Sequence, residues 1–233
     1  MNKTYIKLLS VATALILLIC ALNISVVTKQ AINGKVSAIK LPLYLKILDF
    51  VDRHYNYKNL AANILAGTRD ENDKAVKIFN WVVSHVQKKP GELPVIDDHP
   101  LNILIRGYGM QDQFEDIFTI LCTYAGLDAI FKSFKNSSGD VYYVSLIKIN
   151  GRWCPLSASG GVYSTKSGAI ASVDDILLDR KLLAPFVSNM SDFESDTFLK
   201  EISTMDYKQG SMRVTGQSPV GRVMFHIKKM VNR

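Results

Sequence analysis

The chain opens on an apolar block: after Lys3 and Lys7 no charged residue occurs from Leu8 to Thr28, and Leu8–Leu22 is almost wholly hydrophobic. About 20 such residues are what a helix needs to cross the hydrocarbon core. A cleaved signal peptide has a shorter apolar core ending at an Ala-x-Ala-like site, and Ala21-Leu22-Asn23 is a poor one. Cys20 follows Ile19 where a lipidated cysteine wants a small residue before it. The pattern therefore predicts an uncleaved, single-pass anchor over 1–28. The signal-anchor form favours a body outside the cytoplasm, whereas lysines stand on both sides of the span.

Beyond the anchor the polar, glycine-containing stretch 29–41 reads as a linker. Leu45, Leu48, Phe50 and Val51 suggest a helix from Pro42 to about Tyr55, with a second short one at Asn59–Leu65. Thr68-Arg69-Asp70-Glu71 has the form of a capping box. It precedes a helix with Ala75, Ile78, Phe79, Val82 and Val86 on one face. Three prolines and a glycine make 89–100 a loop. Gly107-Tyr108-Gly109 is a turn, and Phe114, Ile117, Phe118, Leu121, Cys122 and Ala125 then repeat at i, i+3, i+4, i+7, i+8, i+11, a helical stripe ending near Gly126.

The period then changes to strands at Ala129–Phe134, Val141–Ile149 and Trp153–Leu156. Asn150-Gly151 supplies the two-residue hairpin between the last two. Ser172-Val173-Asp174-Asp175 looks like a helix start, Asp192–Ile202 like a further helix, and Val220–Val231 like a basic amphipathic one. Helices followed by an antiparallel meander predict an α+β domain over 42–184, helices packed on a sheet, with a C-terminal extension over 185–233.

Charge changes the picture only once it is located. The net +7 resides in the ends: residues 1–46 hold six lysines and no acid, and 207–233 hold six basic residues and no acid. The body between them carries 16 basic against 21 acidic residues, so it has no basic stripe for nucleic acid. Basic ends beside an apolar span suit an anionic membrane surface. Of three cysteines, Cys20 lies in the span, Cys122 falls on the apolar stripe, and Cys154 follows Trp153; a Cys122–Cys154 disulfide is left open. Asp97-Asp98-His99 is the one acid–acid–histidine cluster. It reads as a solvated loop rather than a metal or acid–base site, since further ligands cannot be placed. No metal or other cofactor is expected.

A glycine turn at a helix mouth is where a reactive thiolate is stabilised by orphan N–H groups and the dipole. Here the residue at that mouth is Gln111. The order of "Lys74-Ala75…Phe79-Asn80-Trp81-Val82", "Gly107-Tyr108-Gly109-Met110-Gln111-Asp112-Gln113" and "Val144-Ser145-Leu146…Asn150-Gly151-Arg152-Trp153" resembles the bacterial transglutaminase-like superfamily, a papain-type fold, over about 60–160. It looks most like the subgroup associated with surface polysaccharide genes. The resemblance implies a Cys nucleophile, a His base and an orienting Asp. Those positions carry Gln111, Tyr142 and Ser157, so all three roles are changed. The resemblance therefore implies a membrane-anchored, catalytically silent domain that binds a peptide, glycan or protein partner in the old cleft, lined by Tyr108, Gln111, Asp112, Tyr142 and Trp153. A role beside cell-surface polysaccharide assembly would follow. The alternatives are a hydrolase or acyltransferase with a site relocated to Asp112, Asp116 or the Asp97-Asp98-His99 loop, and a structural subunit of a membrane complex.

Overall fold

A computed structural model describes residues 3–32, 35–93, 97–135, 139–187 and 192–204, with 224, 227 and 228. Helix α1 (Lys3–Leu22) buries none of its residues in the protein and has a mean hydropathy of 2.3. It is long and apolar enough to cross a membrane, the property shared by anchors and signal sequences.

The stretch read as a linker is instead an antiparallel ribbon, β1 (Ser25–Ile32) paired with β2 (Lys35–Pro42). Val26, Val27, Thr28, Val36 and Ile39 are β-branched, and that propensity outweighs the polar residues between them. Two expected helices are one, α2 (Leu43–Ile64). Between the two expected helices Asn56 and Lys58 face solvent, while Tyr57 and Ala61 carry the buried face through.

Helix α3 (Glu71–His85) is capped by Asp70, whose side chain accepts from the Asp73 N–H at 3.0 Å. The cap is therefore not Thr68, which accepts from Lys77 Nζ at 2.6 Å. A short strand, β3 (Gln87–Lys88), follows. Helix α4 (Pro100–Arg106) was hidden among prolines: Pro100 sits in its first turn, where a missing N–H costs nothing, and left-handed Gly107 (φ 73°) ends it. Then β4 (Tyr108–Gly109) pairs in parallel with β3 and leads into α5 (Gln111–Tyr124).

The main sheet is antiparallel, in the order β5 (Ala129–Lys135), β6 (Val141–Ile149), β7 (Arg152–Ser157), β8 (Val162–Tyr163). Asn150 (φ 49°) and Gly151 (φ 80°) make the tight turn between β6 and β7. A small ribbon, β9 (Thr165–Lys166) with β10 (Ala169–Ile170), precedes α6 (Val173–Leu178), a 3-10 turn at Arg180–Leu183, α7 (Ala184–Val187) and α8 (Asp192–Ser203). Ser172 caps α6 by accepting from the Asp175 N–H. The basic helix expected at Val220–Val231 lies outside the described residues, apart from isolated positions.

Both faces of the sheet are covered. Ile147, Ile149, Cys154 and Leu156 pack with Ile78, Phe118 and Leu121 of α3 and α5. Alternate residues Val144 and Leu146 pack on the other side with Ile176, Phe198, Leu199 and Ile202 of α6 and α8. The period-2 geometry of a strand divides the residues between these two cores. Residues after 185, read as an extension, thus supply part of the second core. Cys122 and Cys154 are buried free thiols, their pKa values raised by burial, that of Cys154 to about 12.

Candidate functional site

The mouth of α5 is set by its neighbours in sequence. Gly109 lies so close to α4 and α5 that a Cβ there would stand 3.0 Å from Ile103 Cγ2 and 3.1 Å from Gln113 Oε1. Gln113, buried at the third position of α5, turns its Oε1 back to accept from the Met110 N–H at 2.9 Å and from Arg106 Nη2 at 3.0 Å. Its Nε2 donates to Asp98 Oδ1 at 2.7 Å. Arg106 also donates to the Asp97 carbonyl at 2.8 Å. The Asp97-Asp98-His99 segment is therefore not a solvated loop. Asp97 is buried and accepts from the His99 N–H and from Asn102 Nδ2, so the cluster clamps α4 against the start of α5.

Gln111, at the first turn of α5, is exposed and lines a cavity of about 260 Å³ together with Tyr142 and Ser157. Residues far apart in sequence, on α5, β6 and β7, thus meet at one opening. Tyr143, Ser159 and Lys88 add polar groups, while Phe186 and Phe198 of α7 and α8 wall the cavity with aromatic surface. Ser157 donates to the Tyr143 carbonyl at 3.3 Å and accepts from the Gly160 N–H at 3.2 Å, which holds the end of β7 in place. Two sequence-derived positions lie away from this lining. Tyr108 stacks with Arg106, 5.2 Å from its ring centroid, and Trp153 packs on the second core. Asp112 is not a lining residue either. Burial first, and the Asp98 charge second, raise its carboxyl pKa, and it in turn helps to raise that of Tyr143, which burial raises first.

Beneath the cavity sits a carboxyl that the sequence pattern did not mark. Glu115, one turn past Gln111, is fully buried. Ser145 Oγ donates to its Oε2 at 2.6 Å, and Ser159 donates to Oε1 through both N–H and Oγ at 2.9 Å. Burial raises its pKa, opposed by these donors. Glu115 lies off the apolar stripe, and no local sequence signal marks it, because its partners Ser145 and Ser159 are 30 and 44 residues away. Among the described residues no group of three or more His, Cys, Asp or Glu is arranged to hold a metal.

Comparison with curated proteins gives no match. Among solved structures the chain is similar to a protein described as a putative cysteine protease from Cytophaga hutchinsonii, with 17% identity, a TM-score of 0.41, and coverage of 56% of this chain and 48% of that one. It is also similar to one described as a putative protease from Parabacteroides distasonis (11% identity, TM-score 0.38, covering 57% of this chain and 36% of that one). A third is described as a TGase (13% identity, TM-score 0.40, covering 71% of this chain and 50% of that one). The chain spans half or less of the length of each. The sequence model of the Transglutaminase-like superfamily matches residues 58–158, the stretch that runs from the end of α2 through α3, α5 and the meander to the end of β7, and over that stretch the chain is similar to that superfamily.

Proposed function

We propose that this chain is a membrane-anchored, catalytically silent transglutaminase-like protein whose inherited cleft binds a peptide, glycan or protein partner. The observation that carries the reading is the meeting of Gln111, Tyr142 and Ser157 at one cavity whose lining, among the described residues, contains no thiol and no imidazole. An amide, phenols and serine hydroxyls donate and accept hydrogen bonds, but none supplies a thiolate near neutral pH. The aromatic wall from Phe186 and Phe198 gives the same cavity an apolar side, the mixture usual in ligand sites. Function here follows the site and not the fold. An apolar α1 placed before the domain would tether that cleft at a membrane surface, and a role in cell-surface polysaccharide assembly is one setting that suits it.

The test is capture of partners by the full-length chain in mild detergent. Gln111→Ala with Tyr142→Ala is expected to weaken capture while leaving thermal unfolding unchanged. Thioester, amidase or peptidase turnover by the purified protein would overturn the reading. One observation favours a second reading, a hydrolase with a relocated nucleophile: Ser159 Oγ lines the cavity and donates to the buried Glu115 carboxyl. Labelling of Ser159 by a fluorophosphonate, abolished in Ser159→Ala, would establish it in place of the first.

A further inference from the structure

Exposed apolar side chains are concentrated directly after α1, in the stretch 24–48, where Ile24, Val27, Val36, Tyr44 and Leu48 all face outward. Single exposed apolar residues are ordinary, but a run of them in one stretch marks a contact surface. The same stretch carries Lys29, Lys35, Lys40 and Lys46 and no acid; the first acidic residue of the chain is Asp49.

The register of the β1–β2 ribbon sorts these residues by face. Thr28 stands opposite Ile39, and Gln30 and Leu41 share that side; all four line a cavity of about 550 Å³ that also contains Asp49, Asp52, Asp98 and Asp116. Val27 stands opposite Lys40, and strand alternation puts Val36 and Ala38 with them on the reverse side. All four of these are exposed. The acidic groups thus lie behind the ribbon, and its outward face is apolar and basic. Such a two-stranded ribbon is marginally stable in water by itself, so a covered face would stabilise it.

The ribbon is also fixed beside the apolar helix. Helix α1 ends at Leu22 and β1 begins at Ser25, which is about 10 Å of extended chain. The Leu43 N–H donates to the Ile24 carbonyl at 2.9 Å, and Lys46 Nζ donates to the Val27 carbonyl at 2.9 Å, tying the open end of the ribbon to α2. We infer that the outward face of the ribbon lies on an anionic phospholipid surface, Val27 and Val36 entering the headgroup region and Lys40 meeting lipid phosphates. Apolar residues interspersed with lysines and free of acids suit that surface, and a tyrosine such as Tyr44 suits headgroup depth. The inference rests on the membrane-anchored reading of α1. It adds that the domain is held against the bilayer by the ribbon instead of hanging from a loose tether.

The experiment places the full-length chain, with Cys20→Ala, in nanodiscs of phosphatidylcholine and phosphatidylglycerol in equal parts. Lys35→Cys, Val36→Cys, Ser37→Cys and Ala38→Cys are made one at a time and labelled with an environment-sensitive fluorophore; Cys122 and Cys154 are buried and stay unlabelled. Quenching by a headgroup spin-labelled lipid is expected at 36 and 38 and not at 35 and 37, the period of a strand lying flat on the surface. The quenching should be lost in phosphatidylcholine alone. It should also be lost with Lys29→Gln and Lys40→Gln, whose register positions opposite Ala38 and Val27 fall on that face. Equal quenching at all four positions, or at none, overturns the inference, as does quenching indifferent to lipid charge. Unquenched probes at 36 and 38 that shift to the blue as more chains are loaded per disc would place a second copy on that face, and overturn it too. Co-elution with the nanodiscs is scored separately. A chain that fails to co-elute refutes the anchored reading and this contact together, whereas the other failures refute the contact alone.

Discussion

Acidification should loosen the clamp around α4 through one side chain, His99. Burial, and then the Arg53 charge, lower its pKa from the ordinary 6.5 to about 4, with Asp97 opposing. Because the folded-state pKa lies below the unfolded one, the unfolded chain binds more protons between those values. Stability from this group is therefore full above about 6.5 and is lost as pH falls toward 4. The whole gap corresponds to about 3 kcal/mol at 1.36 kcal/mol per pKa unit. About 2 kcal/mol of it should be lost between pH 7 and pH 4.5. Other carboxylates titrate in the same range, so the informative quantity is the difference from His99→Gln, whose amide oxygen can still accept from Arg53 but carries no proton equilibrium. Guanidinium unfolding of both proteins in mild detergent, followed by Trp81 and Trp153 fluorescence at the two pH values, measures it. The wild type should lose about 2 kcal/mol more than the variant. Parallel pH profiles would refute the argument, because they would mean that the imidazole is equally easy to protonate in both states.

Glu115→Ala should cost about 2–4 kcal/mol, since it leaves the Ser145 hydroxyl and the Ser159 N–H buried without their acceptor; chemical denaturation reads this directly. Glu115→Gln should flatten the alkaline side of the stability profile: burial raises the carboxyl's folded pKa, so its contribution is present at low pH and lost as pH rises through that value. Gly109→Ala should cost about 1–3 kcal/mol in the same assay by pushing on Ile103 and Gln113, and an unchanged midpoint would show that the approach is not tight. At the cleft, Gln111→Cys alone should gain no peptidase or acyl-transfer activity, because the positions that would supply the base and its orienter are Tyr142 and Ser157. Turnover by that single variant would show that another group serves as base.

Periodicity alone marked what depends on local spacing. The α5 stripe, the β6–β7 hairpin at Asn150-Gly151 and the buried face of α3 are visible because each repeats at 3.6 or 2 residues. Gln111, Tyr142 and Ser157 were equally legible at the positions where the resemblance expects a Cys, a His and an Asp, since a glutamine cannot become a thiolate in any fold. What the tertiary structure decided are the features that rest on partners distant in sequence. Whether Glu115 is solvated or buried depends on Ser145 and Ser159, 30 and 44 residues away. Whether Asp97-Asp98-His99 is a loop or a clamp depends on Arg53, Arg106 and Gln113. The aromatic wall of the cleft comes from helices beyond the expected domain end, and the β1–β2 ribbon stands where a linker was expected. A sequence window reports what a segment prefers by itself, and burial is conferred by whatever packs against it.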